Sequence, residues 1–275
     1  KGEQAFGYDV WTKRDTTDPV VEARYAMELN PETLAKIDSL TKTNPEAAKE
    51  LRAATSYHVD HGNGLDCYKV GPTLGGGTAA LMVGDTIIYP YCYRTQEILD
   101  NGPLRFAVKL VYNPLTVKGD ASVVETRFIT WDSGSHMNKT VVSYSNLKES
   151  ISVAVGIVLH EPNGEVLANA QKGYITYVDP TDNINNNNGK IFVGAAFPAN
   201  VKEAKSVLFS AKEKEQRGGA DGHVLAISDY IPGSDYTYYW GAAWSKANIK
   251  DAAQWNEYVA NFTVKIRNPL TVTIK

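Results

Sequence analysis

The sequence predicts a mainly β protein of antiparallel strands, with short helices near residues 31–54 and a further helix near 248–266. From about residue 64 to 245, short strand-like segments are separated by turn-forming segments such as 132–135 and 161–164. These segments do not alternate with helical stretches of similar length. The arrangement therefore favours a sandwich or barrel over a β/α fold.

The segment 31–54 is expected to form two short helices rather than one. Pro31 follows Asn30, and Pro45 follows Asn44. An asparagine that precedes a proline in the first turn is typical of a helix start, because the amide caps the helix and the proline needs no backbone partner there.

The β region is expected to contain a series of strands of similar length. In the first of them, Phe106, Val108 and Leu110 alternate onto one face. The predicted strands are residues 104–112, 123–131, 140–147, 151–160, 172–178, 190–197, 206–211, 223–231 and 236–244.

Beyond the strands, apolar residues recur at the spacing of an amphipathic helix. They occupy positions 249, 252, 255, 259, 262 and 266, which predicts one helix that packs on the sheet. Residues 268–275 are expected to close the chain as a final strand.

The bulk composition restricts the classes of partner. The chain has 275 residues and a net charge of −3, with no basic stripe, which argues against nucleic acid. No apolar run approaches the roughly 18 residues of a membrane span.

We expect a polar, helical N-terminal segment over residues 1–55 and a β-sandwich domain over residues 56–275. The oligomeric state is left open.

Tyrosine and tryptophan are abundant relative to phenylalanine. The chain has 16 Tyr and 5 Trp against 7 Phe, and such rings offer an apolar face with a polar edge, which suits sugars. The preference of tyrosine for strands explains the same bias equally well. Cys67 and Cys92 are compatible with one disulfide or with two thiols.

The richest stretch for chemistry is residues 56–81, which contains His58 and His61. A histidine titrates near neutral pH, so either is a candidate catalytic base. A divalent metal held by His58, Asp60 and His61 is an alternative, although the spacing matches no standard zinc motif. A structural role, in which both rings cap turns, is the third interpretation. The glycines at 75–77 lack the lysine of a phosphate loop.

A second group of candidates follows in residues 89–105. Alternation would place Tyr89, Tyr91 and Tyr93 on one face and Arg94 on the other. Stacking on the tyrosines and a bidentate bond from Arg94 or Arg105 would hold a carboxylated sugar. A plain cross-strand ladder of tyrosines is the competing interpretation.

The segment 236–240 is a third candidate surface. Tyr236, Tyr238 and Trp240 share one face of the predicted strand, which suits either a sugar platform or the seat of the C-terminal helix. Three further histidines stand at strand ends, and for each we favour a structural role; they are His136, His160 and His223.

Four blocks of the sequence resemble a family of domains of unknown function from secreted proteins of polysaccharide-degrading gut and marine bacteria. The blocks are residues 56–81, 97–117, 156–162 and 234–246. The resemblance implies a periplasmic or secreted protein encoded among genes for polysaccharide breakdown. Family members usually carry a further N-terminal β segment, so a start at Lys1 implies a truncated or cleaved form.

The segment 98–110 is also similar to the galactose-mutarotase-like supersandwich of carbohydrate epimerases and lyases. This second resemblance implies an antiparallel β-supersandwich. It is an analogy of fold, so it says little by itself about activity.

Together these expectations lead to a hypothesis of elimination across C4–C5 of a uronic acid in an oligosaccharide. His58 or His61 would remove the C5 proton, and Arg94 or Arg105 would neutralise the carboxylate. Tyr68, Tyr91 or Tyr93 would protonate the leaving oxygen. Substrate contacts are assigned to Tyr93, Arg105, Tyr238 and Trp240. The alternatives are a glycoside hydrolase or epimerase on the same fold and a non-catalytic glycan-binding module.

Overall fold

The fold comprises two compact units, seen here in a computed structural model that describes residues 6–14, 20–182, 186–271 and 273. The larger unit comprises residues 1–9, 70–180 and 191–275, and the smaller unit comprises residues 10–69 and 181–190. The boundary expected after residue 55 was placed by composition alone and stays a prediction.

The strands and helices follow one another with few long connections. In chain order they are β1 (Trp11–Lys13), α1 (Val20–Glu28), α2 (Pro31–Thr43), α3 (Pro45–Thr55), β2 (Gly64–Asp66), β3 (Gly76–Val83), β4 (Thr86–Ile88), β5 (Tyr93–Asn101), β6 (Arg105–Tyr112), β7 (Leu115–Val117), β8 (Asp120–Asp132), β9 (Met137–Ser145), β10 (Ile151–Leu159), β11 (Val166–Asn169), β12 (Tyr174–Asp179), β13 (Ile191–Ala196), β14 (Glu203–Leu208), α4 (Ala211–Gln216), β15 (Gly222–Tyr230), β16 (Tyr236–Trp244) and α5 (Ala252–Arg267).

The larger unit is built on two antiparallel sheets. A five-stranded sheet has the order β14-β15-β10-β3-β4, and a nine-stranded sheet has the order β11-β12-β13-β16-β9-β8-β6-β5, with β7 paired to β8. The prediction of a mainly β, antiparallel fold is confirmed. None of the helices in the described residues is both long and apolar enough to cross a membrane.

The two faces of the nine-stranded sheet have different partners. On β16, Tyr238 points toward the five-stranded sheet, where its hydroxyl accepts a hydrogen bond from the amide of Ala79 at 3.2 Å. The next residue, Tyr239, points the other way and meets Phe262 of α5 edge to face. The helix therefore packs on the Tyr239 face. The alternative in which the helix packs on the face of Tyr238 and Trp240 is wrong.

A buried tryptophan of helix α5 packs on the sheet. Trp255 is fully buried and packs with Val259 against Phe192 and Ala243. Its indole nitrogen donates to the backbone oxygen of Val193 at 3.1 Å. The helix begins at residue 252, later than expected, because Asp251 caps it through the amide of Gln254.

The helical predictions for residues 31–54 are confirmed in detail. The side chain of Asn30 accepts from Glu32 and Thr33 at the start of α2, and the side chain of Asn44 accepts from Ala47 at the start of α3. Helix α1 escaped the sequence analysis, although Asp18 and Pro19 stand directly before it in the sequence.

Two strand predictions need correction. Strand β14 ends at Leu208, and Ser210 and Glu213 then form a capping box that starts α4, so residues 206–211 are not one strand. Tyr89 and Tyr91 precede the start of β5, so the expected stripe with Tyr93 does not form on a strand. Residues 268–271 and 273 have no strand structure, so the predicted final strand is not found there, and residues 272, 274 and 275 lie outside the described residues.

Strand β5 is the edge of the nine-stranded sheet, and every residue in it is exposed. Its pairing with β6 is interrupted twice, between Tyr93 and Thr95 and between Ile98 and Asp100. Regular pairing of β5 with β6 is thus divided into two short stretches, residues 95–98 and 100–101.

Replacing Trp255 by Ala is expected to lower the free energy of unfolding by about 3–5 kcal/mol, because it leaves a cavity under α5 and removes the donor to Val193. Urea unfolding followed by circular dichroism measures the change. The matched control is Val264→Ala on the same helix, where the side chain is 61% exposed, and its effect is expected within about 0.5 kcal/mol. Equal effects of the two substitutions would contradict this account of the helix seat.

Candidate functional site

The candidate site in the smaller unit is organised by the short ladder between β1 and β2. In this antiparallel pair Trp11 lies opposite Asp66. Gly64 makes the close approach feasible: it has φ of +126°, and a Cβ there would lie 2.1 Å from the backbone oxygen of Thr12. Asp66 is further tied to the loop before it, because its amide donates to the oxygen of Tyr57 at 2.9 Å.

His58 lies on that loop with a defined tautomer. Its Nδ1 lies 2.9 Å from the backbone oxygen of Asp66. A carbonyl oxygen only accepts hydrogen bonds, so Nδ1 carries the proton and Nε2 carries the lone pair. The side chain is 39% exposed. The ring is therefore oriented by the backbone, with its basic nitrogen on the opposite edge.

Two carboxylates border the imidazole. Nδ1 of His58 lies 3.9 Å from Oδ2 of Asp66 and 4.0 Å from Oδ2 of Asp182. Asp182 is brought in by the return of residues 181–190 to the smaller unit, where its amide donates to the oxygen of Cys67 at 3.0 Å. Asn188 bridges the two parts, since its Nδ2 lies 3.4 Å from both the oxygen of His58 and Oδ1 of Asp182.

His61 is held differently from His58. Its Nε2 donates to the backbone oxygen of Ser56 at 3.1 Å, and Oδ1 of Asp60 accepts from the amide of Gly62 at 2.8 Å. Gly62 has a positive φ, which supplies the bend expected there. In the part of the chain that the structure describes, no three His, Cys, Asp or Glu side chains are grouped to hold a metal ion.

An aromatic cluster adjoins His58. The ring of Tyr57 lies 4.0 Å from the imidazole, and the rings of Trp11, Tyr25 and Tyr57 are mutually within 5.1–5.7 Å. We refer to Trp11, Tyr25 and Tyr57 as the aromatic platform. Tyr25 is 41% exposed, and the other two rings are half-buried.

A cavity of about 430 Å³ lies in the same unit, between α1, α2, α3 and the start of the His58 loop. Its walls include Ser56 and Val59, on either side of the Tyr57–His58 pair, together with Glu28, Asp38 and Arg52. The carboxylate of Glu28 also accepts from the amide of Tyr57 at 3.1 Å. The volume lies within the range of small-ligand sites.

The other catalytic candidates lie in different surroundings. Tyr68 belongs to the smaller unit and is buried, whereas Tyr91, Tyr93 and Arg94 are exposed residues of the larger unit. Arg105 is also exposed, and it already binds Asp132 through two nitrogens at 2.6 and 3.1 Å. Cys67 and Cys92 do not form a disulfide.

Tyr238 and Trp240 are buried on the inner face of the nine-stranded sheet. The ring of Tyr8 stacks on Trp240 at 4.1 Å with an angle of 5° between the planes. Beside them, the guanidinium of Arg127 bonds the carboxylate of Glu125, and both side chains are inaccessible to solvent. Burial raises the pKa of Glu125, and the nearby Arg127 opposes that shift.

One histidine expected to be structural has the geometry of a catalytic base. Nδ1 of His160 lies 2.6 Å from Oδ2 of the buried Asp179, and the histidine side chain is 14% exposed. The amide of His160 donates to the hydroxyl of Tyr177 at 3.1 Å. A buried carboxylate that orients an imidazole in this way is a common feature of acid–base sites.

His136 and His223 have structural roles, as expected. Nδ1 of His136 donates to the oxygen of Ala242 at 3.2 Å, and Nε2 accepts from Asn248 at 3.2 Å. His223 is buried, and its Nε2 accepts from the amide of Leu74 at 3.1 Å.

Several members of the site escaped the sequence analysis. Asp182 and Asn188 lie far along the chain from His58, and no local pattern links them. Trp11 and Tyr25 fall in a segment without a recognisable period, and Asp179 ends a strand like many other acidic residues. Tyr57 and Asp66 stand in the stretch 56–81, so proximity in sequence was the one available signal.

The buried His223 makes stability depend on pH. Burial lowers its pKa to about 3, with Arg217 adding to the shift. In the unfolded chain a histidine titrates near 6.5. Between those values the unfolded chain binds a proton that the folded protein does not. The contribution of neutral His223 to the free energy of unfolding is therefore complete above about pH 6.5 and is lost as the pH falls toward 3.

His223→Gln, which keeps an acceptor for Leu74, is expected to reduce the loss of stability on acidification. The difference between wild type and variant should reach an order of 4 kcal/mol between pH 7 and 3.5. Urea unfolding at a series of pH values measures it. Parallel curves for the two proteins would show that His223 is not the responsible group.

Comparison with known proteins gives one curated relative, from Formosa agariphila, which carries the name Uncharacterized protein P7. It is 25% identical over 229 residues, which is 83% of this chain and 54% of the relative. The chain thus spans about half the length of the relative.

Two solved structures show partial likeness. Heparinase III matches 62% of this chain and 24% of its own, with a TM-score of 0.36 and 11% identity. A candidate kojibiose phosphorylase from the human microbiome matches 69% of this chain and 25% of its own, with a TM-score of 0.42 and 9% identity. The description of the fold rests on the strand pairing given above.

One family covers nearly the whole sequence. Its sequence model, described as Domain of unknown function (DUF4861), matches residues 2–272. That span includes all four blocks on which the resemblance to a family of unknown function was based. The chain belongs to the DUF4861 family.

Proposed function

We propose that the protein is a carbohydrate-active enzyme that eliminates across C4–C5 of a uronic acid in an oligosaccharide, as a lyase or a dehydratase, with His58 as the base. The observation that carries the proposal is the hydrogen bond from Nδ1 of His58 to the oxygen of Asp66 at 2.9 Å. That bond leaves the lone pair on Nε2 of a partly exposed ring.

The reaction needs few groups. Nε2 of His58 takes the proton from C5, the electrons of the C5–H bond form the C4=C5 double bond, and the C4–O bond breaks. The leaving oxygen takes a proton from an acid. Tyr57, whose ring lies 4.0 Å from His58, joins Tyr68 as a candidate acid in the smaller unit.

The C5 proton is acidic enough only when the carboxylate beside it is neutralised. Arg94 and Arg105 were the candidates for that role. Arg105 is already paired with Asp132 by two hydrogen bonds. Arg94, Tyr91 and Tyr93 belong to the larger unit, so their predicted roles stay predictions and no cation is assigned to the His58 site.

The case for a sugar rests on the aromatic platform beside His58 and on the resemblance of four sequence blocks to proteins of polysaccharide-degrading bacteria. Aromatic rings suit the C–H face of a pyranose, and Tyr25 of the platform is 41% exposed. The same resemblance leads us to propose a periplasmic or secreted location.

The pair of His160 and Asp179 provides a second candidate base in the larger unit. Asp179 lies 2.6 Å from Nδ1 of His160 and orients the imidazole. If His58 is the base, its replacement by Ala abolishes turnover; if His160 is the base, replacement of His160 does so. Single substitutions of the two histidines therefore distinguish the two assignments.

His58→Ala is expected to reduce turnover of uronate-containing oligosaccharides by about 100-fold or more, because general-base catalysis contributes that much. Formation of the unsaturated product is followed by ultraviolet absorbance. His61→Ala is the matched control on the same loop, since Nε2 of His61 already donates to Ser56. Its effect should be several-fold at most.

The outcomes of this experiment separate the hypotheses. Unchanged turnover in His58→Ala together with loss in His160→Ala would assign the base to His160. A product with a new reducing end but no double bond would identify a hydrolase, and an isomer would identify an epimerase. Sugar binding without any turnover, unaffected by either histidine, would identify a binding module.

A further inference from the structure

We propose that one corner of the nine-stranded sheet is a binding surface for the uncharged sugar rings of an oligosaccharide. The surface lies wholly in the larger unit, on the side of the sheet that faces the five-stranded sheet. The inference goes beyond the proposed function, because it holds whether or not the chain eliminates at a uronic acid. We call this surface the open face; it consists of Ile98 of β5, Phe106 and Val108 of β6, and Ile129 and Trp131 of β8.

Strand pairing puts these five side chains on one side of the sheet. Arg127 marks that side, because its Nη2 donates to the backbone oxygen of Ala79 in the five-stranded sheet at 3.1 Å. Positions 129 and 131 follow Arg127 at the two-residue period of a strand, so they share its side. The cross-strand pairs on this side are Phe106 with Trp131, Val108 with Ile129, and Ile98 with Val108.

The open face is apolar and yet uncovered. Ile98 is 58% exposed, Trp131 is 52% exposed and Phe106 is 39% exposed. Further along the same side of β6, Leu110 and Tyr112 are buried, so the apolar side chains become accessible only toward this corner. Large apolar side chains grouped on a surface are typical of a binding surface.

The largest ring of the open face is held in place before any ligand binds. The indole nitrogen of Trp131 donates to the backbone oxygen of Ser135 at 3.1 Å, in the turn between β8 and β9. The same turn is tied to the start of β6, because the amide of Ser133 donates to the oxygen of Leu104 at 2.9 Å. A ring that is already oriented loses little conformational freedom when a sugar stacks on it.

The polar neighbours of the open face are side-chain amides. The pairing of β5 and β9 with the strands beside them places Gln96, Asn101 and Asn138 on this side of the sheet. Asn138 is buried, and its Oδ1 accepts from Thr140 at 3.4 Å. Within the part of the chain that the structure describes, none of the three amide nitrogens donates a hydrogen bond. Each amide therefore has a donor for a ligand oxygen.

Two ion pairs of this corner lie on the opposite side of the sheet, where alternation places their side chains. They are Glu97 with Lys109, at 3.9 Å, and Arg105 with Asp132, at 2.6 Å. On the open side, Glu125 and Arg127 are bonded to each other and inaccessible to solvent.

The absence of accessible charge on the paired positions of the open face decides the class of ligand. A charged group would find no counter-charge there, whereas the hydroxyl groups of a neutral sugar accept from amide nitrogens and donate to amide oxygens. The C–H groups of the sugar ring lie against the aromatic rings. The open face is therefore complementary to an uncharged sugar.

The extent of the surface indicates several sugar rings rather than one. It crosses four neighbouring strands, β5, β6, β8 and β9. Three spacings between strands amount to about 14 Å, which is the length of a short oligosaccharide. Phe106 and Trp131 lie in the middle of this span, with Ile98 on the side of the sheet edge and Asn138 on the other side.

The test measures quenching of tryptophan fluorescence by acrylamide in the full chain, because Trp131 is exposed and the other four tryptophans are buried or half-buried. The probes are cellohexaose, mannohexaose and maltohexaose, with hexagalacturonate as the charged comparison. At least one neutral probe is expected to protect Trp131 with half-saturation below about 1 mM. Its affinity should change by less than about twofold between low and high salt, because no ion pair forms.

Two results would overturn the inference. One is the absence of protection by all three neutral probes at concentrations of about 10 mM. The other is tighter binding of hexagalacturonate than of any neutral probe, with an affinity that falls as salt is added.

Matched substitutions locate the binding. Phe106→Ala is expected to weaken binding of the neutral probe by about tenfold. Phe128→Ala is the control, because Phe128 is also 39% exposed but lies on the opposite side of the same sheet, and its effect should stay within about twofold. Trp131→Phe should remove the protection signal. Far-ultraviolet circular dichroism of each variant confirms the fold. Equal effects of Phe106→Ala and Phe128→Ala would contradict the assignment to the open face.

The remaining outcomes concern other occupants and the elimination. Sedimentation velocity of the free chain is expected to show no dimer that Phe106→Ala dissociates; such a dimer would assign the open face to a second copy and overturn the inference. The quenching assay involves no turnover. Protection of Trp131 without an unsaturated product would leave the open face established and the elimination wrong, and the reverse result would leave the elimination established and the open face wrong.

Discussion

Ala79 lies on the part of β3 that has no strand on its second side, because β4 pairs only with residues 81–83. Both polar groups of its backbone bond to side chains of the other sheet. The amide donates to the hydroxyl of Tyr238 at 3.2 Å, and the oxygen accepts from Arg127 at 3.1 Å. Buried backbone groups are costly when unpaired, so these bonds fix how the two sheets of the larger unit face each other.

That constraint explains why a charged pair lies in the middle of a sandwich. Arg127 satisfies Ala79 only if its charge is balanced, and Glu125 on the same strand provides the balance. A buried ion pair gives little net stability, but removal of one partner leaves an isolated charge and is costly. The aromatic rings of Tyr8 and Tyr112 then cover the guanidinium at 5.2 and 4.4 Å.

The smaller unit likewise depends on a few backbone hydrogen bonds. Its site depends on a ladder of three residue pairs, and the absence of a side chain at Gly64 permits that ladder. The ladder positions Asp66, Asp66 orients His58, and the returning segment supplies Asp182 and Asn188. The side chains of the candidate site are thus positioned mainly by backbone hydrogen bonds of loops and short strands.

Local patterns were sufficient to predict most of the elements but only part of the site. Alternation predicted β16 with its observed bounds, and the asparagine–proline starts predicted α2 and α3, because both signals act within a few residues. Alternation also separated Tyr238 from Tyr239, yet it does not say which face a helix will cover.

The site required contacts between distant parts of the chain. Asn188 contacts the backbone oxygen of His58 from 130 positions further along the sequence, and neither segment contains a sequence pattern that predicts the contact. The expected tyrosine stripe does not form, because residues 89–92 follow an alternating pattern but precede the strand. His160 was assigned a structural role because its partner, Asp179, stands on another strand.

The bulged edge strand β5 has a consequence for the behaviour of the protein in concentrated solution. An exposed edge of nine residues offers its backbone to any extended chain, including a copy of itself. The irregular pairing at positions 93–95 and 98–100 increases the twist of the edge and divides its regular pairing into residues 95–98 and 100–101. Bulges of this kind oppose the growth of a sheet between molecules along an exposed edge.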